Sequence, residues 1–569
     1  MNGILQRNLL ALSATDPDLA ARISKATPDP KLRAEPSRTG LPIPILRGPS
    51  GDLALHSRMD PLREAERLAA AYPSGGFIVY LGLGAGYGIR ALLDRPTTGG
   101  VLVVEYSLDL LRAILEQFDL APVLSDRRVR LLADPDEPTL ERAIFEAYIP
   151  ILAGDLSTVP LRARVDADPG RFSEAVDAVR RVISRVSDDY SVQAFFGRRW
   201  FSNTVRNLYA AERPVRPLTP VREAIVTAAG PSLDELAPEL GQVRRGRFLI
   251  ATDTSMGALL ARGIVPDAVV SIDCQHISYY HFLTPVPGEI PLILDLASPP
   301  SVARRARRVH FFSSGHPFCR YVSSHFRPFP SLDTSGGNVT HAAVSLADTL
   351  GARRIFLYGA DFSYPRGASY ARGTYIHRYF RLRAGRTSPQ ESLFSAFLYR
   401  NLQVDRETDP DGTFRYVTKP LQAYRRRLEA FAAGLSGQLV PVRGSGVDIR
   451  VPIRTFDPSG SGRGLAVFAP GKATCTAREF LESYRDGLRG LPELTAPSLR
   501  TLRSLSPEQQ DLWTTLLPAA AALRKDLGNL QIPPSELMER IRAWTLEVVS
   551  AELEAGPKAP MESFTITRT

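Results

Sequence analysis

Short apolar runs that each stop at a glycine or an acid, with helix-like stretches between them, constrain this chain more than any other feature. "GFIVYLGLG" (76–84) reads as a buried strand entering a glycine-rich turn, and "GVLVVEYS" (100–107) as a second strand ending in an acid. The pattern returns in "EAIVTAAG", "RFLIATD", "DAVVSID", "IPLILDLA", "RRVHFFSS" and "ARRIFLYGAD", between residues 223 and 361. Strands alternating with helices predict sheets whose ligand crevices lie at the carboxyl ends of the strands. The expected fold is α/β: two doubly wound Rossmann-like domains joined by a helical connector, plus a C-terminal helical domain. The first domain is expected over 1–160, opening on a short helix and a Pro-rich connector, "PDPKLRAEPSRTGLPIPI". The helical connector takes 161–215, with apolar residues at helical spacing through 170–212, and "RPVRPLTPV" marks its end. The central domain is expected over 216–455. From 456 to 569 the chain is rich in Leu, Ala, Glu and Arg at helical spacing and offers no convincing strand.

Composition narrows the class. A chain of 569 residues exceeds one ordinary core, and 44% apolar with 23% charged residues is a globular balance. No stretch approaches the roughly 20 apolar residues of a membrane span. The first twenty residues lack the basic and small-residue flanks of a signal peptide. Cys274, Cys319 and Cys475 have neither paired nor metal-like spacing, which fits a reducing compartment. A cytoplasmic location is therefore expected. The net charge of +10 admits nucleic acid, anionic lipid or phosphorylated substrates. Its clusters, "RRARR" (304–308) and "RRR" (425–427), are short and carry no nucleic-acid signature. They are read as solvated surface, with no nucleic-acid partner.

"GLGAGYG" places Gly82, Gly84, Gly86 and Gly88 directly after a strand, and Glu105 ends the next one. Such a turn lets backbone approach a nucleotide, and such an acid binds ribose hydroxyls, as for S-adenosylmethionine. The alternative is a doubly wound domain that has kept the turn and lost the ligand. In the central block Gly230, Pro231 and Ser232 repeat the logic, with Ser232 placed to cap a helix and Glu235 three residues on. Free N–H groups and a hydroxyl there suit a phosphate. Asp253, Asp273 and Asp361 end three strands and are expected in the crevice. Ser335, Gly336, Gly337 and Asn338 form a second loop-to-helix turn. Tyr364 and Tyr370 follow Asp361, where a neutral phenol can donate a hydrogen bond to a leaving phosphate. His377 is a candidate base.

"GPSLDEL", "LLARGIVPDAVVSID", "TSGGNVTHAAVSLADTLGARRIFLYGADFSY" and "YRRRLEAFAAGLSGQLVPVRGSGVDI" together resemble the motility accessory factor family of flagellin glycosyltransferases. Its central domain is also described as 6-hydroxymethylpterin diphosphokinase-like. "LALHSRMDPLREAERL" (53–68) extends the likeness toward the N-terminus. The central block is also similar to bacterial sialyltransferases that use cytidine monophosphate (CMP) sugars. That likeness implies that Gly230, Pro231, Ser232, Ser335, Gly336 and Gly337 hold the nucleotide. Tyr370 then matches the second assisting tyrosine, and Tyr364 the first with a one-residue shift. Ala228-Ala229 stands where the family often has Gly or Asn, and "SYARG" replaces a His-containing segment. The implied function is transfer of a nonulosonic acid from a CMP donor to flagellin Ser or Thr, with no metal or further cofactor. Two other readings stand beside it. One is a 6-hydroxymethylpterin diphosphokinase using Mg-ATP, with Mg²⁺ held by Asp253, Asp273 or Asp361. The other is a non-catalytic flagellar assembly factor. No Walker loop or kinase glycine loop is present.

Overall fold

The computed structural model describes residues 3–48, 51–284, 286–401, 403–410, 412–453, 467–495, 498–528, 530 and 532–557. The expected boundary at 455–456 lies outside them. The protein is mixed α/β, with parallel sheets and many helices. It resolves into two compact units, each built from two stretches of chain: Met1–Gly197 with Gly490–Trp544, and Arg198–Arg489 with Thr545–Thr569.

The first unit holds a four-stranded parallel sheet in the order Val129–Ala133, Thr98–Glu105, Gly76–Leu81, Leu156–Pro160. The two middle strands are buried at every position, as strands covered by helices on both faces must be. Half of the stretch read as a Pro-rich connector is instead strand: Leu32–Pro36 and Pro42–Gly48, with Gly51–Ala54 just beyond it, form an antiparallel sheet. Pro36 and Pro42 face each other beside the turn, and the Ser37 N–H closes it on the Leu41 carbonyl at 2.8 Å. A proline at a strand end removes no interior ladder bond. The expected helical connector is the 43-residue helix Pro169–Ala211. Within this unit it meets the helix Pro507–Leu527 so closely that a Cβ on Gly197 would lie 1.8 Å from the Pro518 carbonyl oxygen.

The second unit holds a seven-stranded sheet, parallel throughout. Its order is Val309–Phe312, Leu292–Asp295, Ala268–Ser271, Phe248–Thr252, Glu223–Thr227, Arg354–Tyr358, Gln438–Pro441. Val226, Ile250, Val270, Ile293 and Leu357 are buried in its core with Ala343 and Leu346 of the helix Val339–Thr349. Between the last two strands the chain makes an excursion. Tyr364–Pro365, Phe414–Thr418 and Val404–Thr408 form a small antiparallel sheet, accompanied by helices Tyr375–Arg383 and Gln390–Tyr399. Among the described residues, no helix is long and apolar enough to cross a membrane.

Candidate active site

Glu223–Thr227 and Arg354–Tyr358 are parallel neighbours, yet the chain leaves them in opposite directions along the sheet. That reversal opens a crevice beyond their carboxyl ends. The turns that follow are stitched together: the Ala228 N–H donates to the Tyr358 carbonyl and the Gly230 N–H to the Gly359 carbonyl, both at 2.8 Å. Gly359 turns with φ +69°, and a Cβ there would lie 2.7 Å from the Ala228 oxygen. A Cβ on Gly230 would lie 2.5 Å from Asp361 Oδ2. Both glycines are required by this close approach of two backbones.

Asp361 explains the Gly-Pro-Ser turn differently from the sequence. Its Oδ2 accepts the Ser232 N–H at 2.8 Å, and its Oδ1 accepts the Ser232 hydroxyl. Ser232 is buried and is the first residue of the helix Ser232–Val243, with Pro231 at the cap position. The expected serine cap is therefore replaced by a carboxylate 129 residues away, and the hydroxyl expected to face a phosphate is already taken. Burial raises the Asp361 carboxyl above its ordinary range, against the opposing pull of the Ser232 bonds.

The other strand-end acids are also engaged. Asp253 is buried as the first residue of Asp253–Leu260, with Thr252 as its cap. It accepts from the Thr254 N–H at 2.6 Å and from the Ser271 hydroxyl at 2.7 Å. Asp273 accepts the Gln275 N–H at 2.8 Å, and burial with the nearby Asp253 charge raises its carboxyl. Among the described residues no group of three His, Cys, Asp or Glu side chains is placed to hold a metal ion.

In the second turn, Asn338 caps the helix Val339–Thr349 by accepting the His341 N–H at 3.1 Å. Ser335 is exposed, and its N–H closes on Asp333 at 2.8 Å. Gly336 is required by packing: a Cβ there would strike the His341 ring at 2.2 Å.

A cavity of about 210 Å³ gathers the carboxyl-end turns. Of the residues expected from sequence, Gly230, Asn338, Asp361, Tyr364 and Tyr370 line it. Pro231, Ser232, Asp253, Asp273, Ser335, Gly336, Gly337 and His377 are not among its lining residues. Tyr364 is buried, and burial raises both phenols above their ordinary value, Tyr370 the more strongly. Both therefore stay neutral donors. His377, the candidate base, instead donates from Nε2 to the Tyr370 carbonyl at 3.1 Å and packs against Phe394.

Sequence reasoning missed Thr252, Thr254, Phe362, Ser369 and Tyr424, which also line the cavity. Phe362 holds φ +45° there, a conformation bulky residues avoid and one that tends to persist at functional sites. Ser369 is buried, with no partner for its hydroxyl among the described residues. Its position beside Tyr370 was the one available signal.

The glycine turn of the first unit is filled by the protein itself. Buried Glu105 accepts from Arg164 Nε at 3.0 Å and from the Tyr106 N–H at 2.9 Å. It is thus spent on an ion pair rather than held for ribose. A Cβ on Gly84 would lie 2.5 Å from His56 Nε2, which accepts the Ala85 N–H at 2.9 Å. A Cβ on Gly82 would lie 2.7 Å from Arg164 Cγ. At Gly82 and Gly84 the close approach that the turn allows is therefore made to His56 and Arg164.

A mixed α/β fold with a parallel sheet, its turns and two tyrosines gathered beyond the carboxyl ends of the strands, defines the class of protein. Residues 202–367 match the family model described as 6-hydroxymethylpterin diphosphokinase MptE-like. The fold is that of the MAf glycosyltransferase from Magnetospirillum magneticum AMB-1, a solved structure. The match has TM-score 0.56 and 15% identity, and covers 97% of this chain and 96% of that one. The resemblance to motility accessory factors is thereby borne out in domain and fold. Three uncharacterised proteins of Treponema pallidum (strain Nichols) are also similar. One is 34% identical over 158 residues, covering 27% of this chain and 55% of that protein. Another is 29% identical over 166 residues, covering 29% and 79%. A third is 27% identical over 306 residues, covering 51% and 52%. The chain thus spans about half the length of the first and third of these relatives.

Proposed function

We propose that the protein is a glycosyltransferase that moves a nonulosonic acid from a CMP-activated donor to Ser or Thr hydroxyls of a flagellin. The observation that carries this reading is the pair of neutral tyrosines, Tyr364 and Tyr370, lining one cavity with the strand-end turns at Gly230 and Asn338. The structural neighbour is named as a glycosyltransferase, which supports the chemistry, as does the sequence likeness to CMP-sugar sialyltransferases. In the step, the bond between the anomeric carbon and the phosphate oxygen breaks, and its electron pair leaves with CMP. The acceptor oxygen forms the new bond to that carbon and releases its proton to water. Hydrogen bonds from the two phenols to the departing phosphate stabilise the charge as it develops. N–H groups at the starts of Asp253–Leu260 and Val339–Thr349 add a field that favours an anion.

The name of the matching family favours a second reading, a 6-hydroxymethylpterin diphosphokinase. The carboxylates it would draw on, Asp253, Asp273 and Asp361, are bonded within the protein to Thr254 and Ser271, to Gln275, and to Ser232 respectively, which favours the transferase. Calorimetry with CMP and with Mg-ATP separates the two. CMP binding without a metal is expected, whereas tight Mg-ATP binding with no CMP binding would overturn the transferase reading.

A further inference from the structure

The "RRARR" run finds a use at a second cavity within the second unit. This cavity is about 930 Å³ and lies beyond the carboxyl ends of Ala268–Ser271 and Leu292–Asp295, on the same edge of the sheet as the tyrosine cavity. Arg199, Asn203 and Arg206 line one wall from the helix Pro169–Ala211. Their spacing of four and three puts them on one helix face. Arg304 and Glu547 also line the cavity.

The chemistry of this wall is specific. The Asn203 amide gives its two hydrogens to the Cys274 carbonyl at 3.0 Å and the Ala297 carbonyl at 2.8 Å. Its oxygen is the group left to offer the cavity. Arg199, Arg206 and Arg304 have no ion pair and no side-chain hydrogen bond among the described residues. Elsewhere in this unit arginines are tied down, as in Arg247–Glu223, Arg262–Asp234 and Arg415–Asp409. Seven residues of helix separate Arg199 from Arg206 by about 10 Å along the axis, a span beyond one small carboxylate. Guanidinium forks select carboxylates or phosphates, while Asn203 Oδ1 and Glu547 select N–H or O–H donors. An extended peptide with acidic side chains supplies both along its length. Ile277, 43% exposed, adds an apolar contact to the lining.

We propose that this cavity docks an extended acidic segment of the polypeptide acceptor, separately from the nucleotide crevice. The proposal rests on the transferase reading for calling the peptide an acceptor. The test uses the full chain and a fluorescein-labelled peptide of alternating Asp and Ser, followed by anisotropy, with CMP affinity measured on the same samples. The wild type is expected to bind the peptide. Arg199→Glu/Arg206→Glu should weaken it by about tenfold or more, from two contacts at about 0.7 kcal/mol each. Arg304→Gln should weaken it less. Arg38→Glu/Arg63→Glu, an equal charge change in the first unit, should leave it unchanged, and CMP affinity should be equal in all variants. Equal peptide affinity in Arg199→Glu/Arg206→Glu and in the charge-matched control would overturn the proposal. So would displacement of the peptide by equimolar free nonulosonic acid or inorganic phosphate, which would make this a small-anion site. A wild type that binds CMP but no peptide sinks the docking cavity alone; one that binds neither sinks the transferase reading as well.

Discussion

Replacing Tyr370 by Phe removes one oxygen atom that none of the described residues bonds. The Tyr370 hydroxyl makes no hydrogen bond among the described residues, while its ring packs 6.0 Å from Phe397 and its carbonyl accepts from His377. The substitution keeps the ring and the carbonyl, so the melting temperature should move by no more than about 2 °C, less than 1 kcal/mol of stability. Turnover should respond differently. A donor aimed at charge that develops only in the transition state is worth about 3–4 kcal/mol, or about 10²–10³ in rate. The loss should fall on kcat, with CMP affinity changing little, because the ground-state nucleotide carries less of that charge. Burial holds the phenol above its ordinary value, so its ionisation should not shape the pH–rate profile below about pH 10. Sugar transfer and CMP release, measured beside CMP calorimetry on the same mutant, decide the matter. Near-normal transfer by both Tyr370→Phe and Tyr364→Phe would refute the reasoning, and so would a loss confined to nucleotide affinity.

Arg164→Ala should destabilise the protein by about 3–5 kcal/mol, because it leaves Glu105 buried and unpaired; chemical denaturation measures this, and Arg164→Met/Glu105→Gln should restore most of it. Gly230→Ala should cost about 1–3 kcal/mol and abolish CMP binding by forcing the two strand-end turns apart, as melting and calorimetry will read. His310 is buried in Val309–Phe312 with neither ring nitrogen bonded among the described residues, and burial pushes it down to about 4. It folds as the neutral ring, so its stabilising share is present above about pH 6.5 and lost as pH falls toward 4, by up to about 3 kcal/mol. His310→Leu should remove that part of the acid sensitivity, as melting between pH 4 and 7 will show.

What was legible followed from burial. Strands covered on both faces are written as unbroken apolar runs, and all six runs read in the central block are strands of the large sheet. The long helix was legible from its spacing. Partnership across the chain was not. Ser232 reads as a cap followed by an acid, and nothing local reveals that Asp361 takes its hydroxyl. Gly336 reads as an approach to a ligand, whereas the His341 ring occupies that space. The strand Val404–Thr408 is "VDRET", too polar to announce itself, because it forms an edge of a small exposed sheet.

The crossing at Gly197 sets an order of events on the ribosome. The helix Pro507–Leu527, which covers that glycine and buries Leu512, Trp513 and Leu516, begins 310 residues (507 − 197) after the first stretch of its own unit is complete. At roughly 5–20 residues per second, that stretch waits about 15–60 s for its last helices. Throughout that interval the nascent chain carries an unfinished apolar surface while the whole second sheet emerges. Its yield in the cell should therefore depend on holdase chaperones and on translation speed past residue 490 more than on the stability of the finished fold.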